Sequence, residues 1–241
     1  MYTEHYTTLN HDTDAKGILR PSCIQRYMQE TANHQMRDCK PTYEELFNEG
    51  KAFILSRMTV SCHRPLRRYE KIDVQTWPSS KDKGATFTRC YTISAEGEEV
   101  ARGIGIRALV DIETKKLLRV GDCDMSNYTH GEPFDMEGIR FRVPAEELEA
   151  VGNFTVGYSF CDCNMHMNNT HYPDIFFDHI PSVHYVVISG YTLTYRKEAR
   201  LGDTLVIKRS LPHINDDGSV DYYFRSYIGD DINAEARITT I

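Results

Sequence analysis

The chain lacks an excess of positive charge: 28 Lys and Arg stand against 35 Asp and Glu, for a formal net charge of −7. A protein that grips DNA or RNA needs a basic face, so nucleic acid is set aside as a partner. Long apolar runs are missing too. No window nears the roughly 18 residues of a membrane span. The polar opening 1–10 has no apolar core of the kind a secretion signal carries. The seven cysteines are scattered without a framework spacing, and their number is odd. Together these absences read as a cytoplasmic protein with reduced thiols. What remains is ordinary: 241 residues, 40% hydrophobic and 26% charged. That is enough to build a core in one large domain or two small ones.

Hydrophobic spacing predicts a helix over 20–38. Pro21 suits its first turn, and Ile24, Tyr27, Met28, Thr31, Ala32 and Gln35 fall on one stripe. Thr42 and Glu45 have capping-box spacing, which opens a short helix over 43–49. From Phe53 the period changes to two. Strands are expected over 53–63, 70–77, 86–94 and 99–111, the last with Val100, Ile104, Ile106, Ala108 and Val110 on one face. Residues 112–140 carry Gly121, Gly131, Pro133 and Gly138 and little periodicity, so they read as linking sequence. A short helix over 172–179 follows, then strands over 184–198, 204–212, 220–228 and 233–240.

A helix followed by a run of antiparallel strands thus occurs twice. That is an α+β pattern, not the alternation of a parallel sheet. The expected units are 1–120, a linker over 121–140, and 141–241, with the two sheets joined side by side. Residues 64–74 align by eye with 197–207, and 12–17 with 162–167. In that alignment Asn164, His166 and Glu198 fall opposite Asp14, Lys16 and Pro65. Only the second half then gathers an amide, an imidazole and a carboxylate.

The stretch 162–172 is dense in polar side chains and sits just before a predicted helix. Asn or Asp in such a place is commonly a cap or a turn former. Asn-x-His-x-Asn-Asn exceeds what capping needs. Unpaired N–H groups there suit a carbonyl oxygen that gains charge during acyl transfer. Glu198 stands in Tyr-Arg-Lys-Glu-Ala-Arg; on a strand, Arg196 and Arg200 would share its face and hold it ionised. The plain alternative is a surface row of ion pairs. Cys161, Cys163, His166 and His171 could suggest a metal, but Cys-x-Cys is too tight for the usual zinc spacing. Cys163 with His166 could be a nucleophile pair, though nothing marks a reactive thiol.

These residues resemble the acyl-ACP thioesterases of plants and bacteria over nearly the whole chain. The first half carries Gly17-Ile18-Leu19-Arg20-Pro21, Met28-Gln29-Glu30-Thr31-Ala32 and Thr76-Trp77-Pro78. The second carries Asp162-x-Asn164-x-His166-x-Asn168-Asn169-x-x-Tyr172 and Tyr195-Arg196-Lys197-Glu198. The resemblance implies two tandem hotdog folds, each a long helix on an antiparallel sheet. It implies hydrolysis of acyl-ACP to free fatty acid without a cofactor or metal, and Asp162, Asn164, His166 and Glu198 as the catalytic set. Plant members often place Cys directly after this Glu; here it is Ala199, which disfavours a thiol nucleophile.

In the mechanism expected from this reading, Glu198 is the general base for water, and His166 orients that water or Glu198 and can also protonate the leaving thiolate. Asn164 and backbone N–H groups near Met167 and Asn168 would hold the carbonyl oxygen, and Asp162 would steady the others. Attack by Asp162 or Glu198 itself, through an anhydride, is the competing route. The acyl chain is expected against Ile24, Tyr27, Met28, Met36, Phe53, Leu55 and Met58, with Asn168 and Asn169 nearby. The partner is acyl carrier protein with its phosphopantetheine-linked acyl group. Because that carrier is acidic, a basic patch should receive it: Arg64, Arg67 and Arg68, or Arg196, Lys197 and Arg200. A homodimer is one assembly the sequence allows. Rival readings are an acyl-CoA thioesterase, a hotdog hydratase or dehydratase, and a non-catalytic acyl-thioester sensor.

Overall fold

The computed structural model describes residues 1–144 and 148–241; residues 145–147, near the start of the expected second half, lie outside the described residues. The first half holds β1 (Tyr2–Thr7), α1 (Pro21–Asp38), α2 (Tyr43–Asn48), β2 (Lys51–Cys62), β3 (Lys71–Pro78), β4 (Phe87–Ala95), β5 (Glu98–Asp111) and β6 (Leu117–Leu118). The second holds β7 (Glu149–Thr155), α3 (Tyr172–Phe177), β8 (Ile188–Tyr195), β9 (Thr204–Arg209), β10 (His213–Ile214), β11 (Val220–Ile228) and β12 (Asp231–Thr240).

These strands make one 12-stranded sheet whose main path runs β1-β3-β4-β5-β2-β8-β12-β11-β9-β7, with β6 on β5 and β10 on β11. Counted outward from the middle, the two halves repeat one another. They join where β2 and β8 pair antiparallel, Met58 opposite Leu193. The fold is the double hotdog expected above, with its sheets fused side by side.

Local chemistry explains the helices. Pro21 opens α1, and its buried stripe of Ile24, Met28, Thr31, Ala32 and Gln35 lies on the sheet. Thr42 and Glu45 close a reciprocal capping box on α2, Oγ1 accepting at 3.1 Å and Oε2 at 2.9 Å. The main core is continuous through both halves, from Val74 and Ile93 to Phe224 and Ile238. The second helix is much shorter than the first. Its six residues still bury Tyr172, Ile175, Phe176 and Phe177, so bulk replaces length.

Three features depart from the sequence reading. Strands β1 and β7, the two ends of the sheet path, were absent from it. Strand β8 stops at Tyr195, not 198. The segment read as a linker also packs: Phe134, Met136 and Ile139 cover Trp77, Cys90 and Ile104, and Trp77 Nε1 donates to the Glu132 carbonyl at 3.1 Å. It shields the apolar β5 face that would otherwise meet water.

Candidate active site

The polar stretch forms a tight turn clamped to the chain after β8. Asp162 N–H donates to the His166 carbonyl at 2.9 Å, and Met165 N–H to the Asp162 carbonyl at 3.0 Å. Met165 takes φ of 61°, a left-handed conformation that the turn imposes on a side chain with no natural preference for it. The Asp162 carboxylate accepts the Asn164 backbone N–H at 2.9 Å and so orders the turn from inside. Met167 N–H then donates to the Ala199 carbonyl at 2.8 Å, and His166 bridges to Arg200. This clamp brings residues 166 and 198 together. His166 Nε2 lies 3.4 Å from Glu198 Oε2, with side chains 27% and 56% exposed.

The first half builds the same turn from other residues. Asp14 N–H donates to the Ile18 carbonyl at 2.7 Å, Gly17 N–H to the Asp14 carbonyl at 3.0 Å, and Leu19 N–H to the Leu66 carbonyl at 2.8 Å. Gly17 has φ of 71°, matching Met165. Asp14 therefore corresponds to Asp162, and the alignment of 12–17 with 162–167 is out by two residues. Its identities were too few to fix the register; the hydrogen bonds fix it. The counterparts of Asn164, His166 and Glu198 are Lys16, Ile18 and Pro65.

Two further expectations are corrected. Glu198 lies beyond the end of β8, so it is not flanked on a strand by Arg196 and Arg200. Arg196 instead pairs with Glu235 at 2.9 Å, and Lys197 with Asp231 at 2.6 Å. The backbone amides of Met167 and Asn168 are also engaged, the latter donating to the Phe160 carbonyl at 2.9 Å. They are not free to hold a carbonyl oxygen. Asn164 lines the groove, and among the described residues its side-chain amide makes no hydrogen bond.

Asp162, Asn164, His166 and Glu198 all line one groove of about 520 Å³ between the halves. Of the residues expected along the acyl chain, Phe53, Leu55 and Asn169 reach it. Ile24, Met28 and Met58 are buried in the main core beneath α1. Tyr27 turns its hydroxyl to Asp12 at 2.6 Å. Asn168 is spent on a cap, accepting from Thr170 N–H at 2.9 Å. Met36 lines a separate small cavity, which it shares with Phe53. Among the basic candidates, Arg196 and Lys197 border the groove. Arg64 borders the equivalent space of the first half and pairs with Glu70 at 2.9 Å. Arg67 and Arg68 are exposed on the same turn, Arg68 donating to Asn10 Oδ1 at 3.0 Å.

Sequence reasoning missed α2 as a wall of the groove. Tyr43 and Phe47 stack there with ring centroids 6.4 Å apart, largely in solvent. The signal was available: two aromatics four apart on a short helix whose buried residue is Leu46. Among the described residues no group of three or more His, Cys, Asp or Glu side chains is placed to hold a metal ion. No described helix is long and apolar enough to cross a membrane.

The comparisons with known proteins bear on the same two halves. No curated protein matches the chain in sequence. Among solved structures, an acyl-ACP thioesterase from Bacteroides thetaiotaomicron superposes with a TM-score of 0.85 at 19% identity, covering 99% of this chain and 97% of that one. A 12:0-ACP thioesterase from Umbellularia californica gives 0.86 at 15% identity, covering 100% and 93%. At such identities the likeness speaks for the fold. The family models speak for the sequence: the acyl-ACP thioesterase N-terminal domain matches residues 1–128 and the C-terminal domain residues 145–240. The chain is a thioester hydrolase and belongs to the acyl-ACP thioesterase family.

Proposed function

We propose that the protein releases free fatty acid from acyl carrier protein by direct attack of water on the thioester at the 162–166/198 groove. The observation that carries this reading is the 3.4 Å approach of His166 to Glu198 on the wall of a groove large enough for an acyl thioester. Glu198 takes the proton of the attacking water. A base that reaches one water away meets the geometric requirement for that step. His166 holds the water or the carboxylate in line, gives its own proton to the departing thiolate and is reprotonated by the proton that Glu198 took from water. The side-chain amide of Asn164 binds the carbonyl oxygen as it gains charge. Asp162 acts by positioning, since it orders the turn that presents Asn164. The carrier approaches over Arg196 and Lys197, the basic candidates that border the groove, while Phe53 and Leu55 receive the first carbons of the acyl chain. All seven cysteines are free thiols, which supports a reducing compartment such as the cytoplasm for this reaction.

The test is thiol release from a panel of acyl-ACPs and the matching acyl-CoAs, with wild type beside Glu198→Ala. Higher kcat/KM on the carrier protein, lost in the variant, is expected. Equal rates on both carriers would overturn the carrier assignment. Full activity of Glu198→Ala would overturn the base.

A further inference from the structure

A second cavity, of about 50 Å³, lies beyond the groove in the first half. Phe53 lines both spaces, and its ring stands edge-on to Phe87 with centroids 5.0 Å apart. Leu55 on the groove side is in register with Arg107 on β5, and Arg107 with Phe87 on β4. Leu55 on the groove wall and Phe87 on the cavity wall are therefore two strand spacings apart, about 10 Å. Met36, Phe53, Phe87, Val120 and Met125 make part of the cavity wall apolar.

The rest of its wall is polar. Arg89 and Arg107 both line it. Arg89 is 4% exposed and has no carboxylate partner among the described residues; its Nη1 donates to the Gln35 side-chain oxygen and lies 3.4 Å from Thr76 Oγ1. Arg107 donates from Nη2 to the Tyr91 hydroxyl at 2.8 Å, and it too has no carboxylate partner among the described residues. Burial, with Arg107 close by, pulls the Arg89 guanidinium down to about 10, so it stays charged at neutral pH. Asp82 and His130 complete the titratable lining; the Asp82 carboxylate is held by Thr88 N–H at 2.7 Å. Buried guanidinium groups are ordinarily matched by a carboxylate or phosphate. The buried Arg89 and the half-buried Arg107 both line this void and are bonded only to neutral acceptors, which leaves donor capacity for whatever enters.

We propose that this cavity is the far end of the acyl channel, and that Arg89 and Arg107 form a polar wall selecting chains with an oxygen acceptor at their far end over equally long chains ending in methyl. A methyl group driven against the wall strips water from two cations and returns no hydrogen bond. A terminal hydroxyl at the same depth accepts one. The proposal rests on the groove being where acyl-ACP is cleaved.

The experiment measures kcat/KM for acyl-ACPs of increasing length, each as a methyl-terminated and an ω-hydroxy form, with wild type, Arg107→Met and Arg107→Lys. In wild type the methyl series should fall off at one length, and at that length the ω-hydroxy form should be cleaved about tenfold faster. Arg107→Met should erase the ω-hydroxy advantage, and Arg107→Lys should keep part of it. Melting curves for each variant show whether the fold is intact. A ratio near one at every length in wild type overturns the proposal even if the variants do not fold. A ratio unchanged in folded Arg107→Met overturns it as well. Cleavage of short methyl-terminated acyl-ACPs separates the two readings: if wild type cleaves them without any ω-hydroxy preference, the polar wall alone fails; if it cleaves no acyl-ACP, the assignment of the groove fails with it.

Discussion

The turns at 13–19 and 161–167 share a hydrogen-bond pattern, a left-handed fourth residue and a clamp to the chain after a strand, yet they face different spaces. In the first half the cavity at the turn is about 20 Å³; in the second it is about 520 Å³. Lys16, standing where the second half has Asn164, reaches across to the carbonyls of Val183 and Val186 and lies 5.7 Å over the Phe177 ring. Ile18 and Pro65 offer no proton-transfer group where the second half has His166 and Glu198. The backbone thus fixes where a site could be, and three side chains decide whether there is one. One backbone turn, used twice, carries the proposed catalytic side chains in the second half and a fastening lysine in the first.

That contrast can be broken most severely at Glu198. Glu198→Ala should lower kcat about 10²–10⁴-fold. Because the side chain is 56% exposed, the melting temperature should stay within about a degree. A matching loss of stability would mean that the residue holds the fold and not the chemistry. Next come the swaps that copy the first half into the second. Asn164→Lys should lower kcat about 10²–10³-fold through loss of the carbonyl donor. His166→Ile should give a loss of similar order, and neither should move the melting temperature by more than a few degrees.

Lys16→Ala tests the other side of the comparison. It removes the donor to two loop carbonyls, which should destabilise the protein by about 1–2 kcal/mol while kcat/KM stays at the wild-type value. Thermal melts and kinetics on one preparation decide it. A smaller effect is expected at the carrier-facing surface. Lys197→Glu should raise KM for acyl-ACP several-fold at low salt, whereas Arg67→Glu and Arg68→Glu, beside the closed site, should leave it unchanged.

The mildest contrast concerns His171, which the matched turns set opposite Cys23. Burial, with Arg26 beside it, pushes the imidazole down to about 4 from its ordinary 6.5. The folded protein therefore keeps His171 neutral while the unfolded chain takes up a proton. Stability from this group is complete above about pH 6.5 and declines as pH falls toward about 4. His171→Asn should flatten the pH dependence of the melting temperature in that window only.

Much of this was legible in the sequence, for reasons that differ by element. Helix α1 announced itself through Pro21 and a long apolar stripe, and α2 through its capping box. Strand β11 was placed at its true ends because Val220, Tyr222 and Phe224 alternate between turns at 216–218 and 229–231. Strands β1 and β7 escaped because each pairs on one side only, β1 with β3 and β7 with β9, so their half-solvated sequences carry no strong alternation. The buried role of Phe134, Met136 and Ile139 was hidden for another reason: a covering segment packs through single anchors and has no period to read. At the site, the residue types and their order pointed to His166 and Glu198. What stayed hidden was which backbone amides were already engaged, since that depends on pairing partners at 160 and 199 distant in the chain.

The central claim is that water, not a protein carboxylate, attacks the thioester. A single turnover in heavy-oxygen water, with enzyme in excess and mass analysis of both product and digested enzyme, tests it most directly. The account predicts the label in the released fatty acid and none in the peptides bearing Asp162 or Glu198. Label in either carboxyl group would contradict it and make that residue the nucleophile.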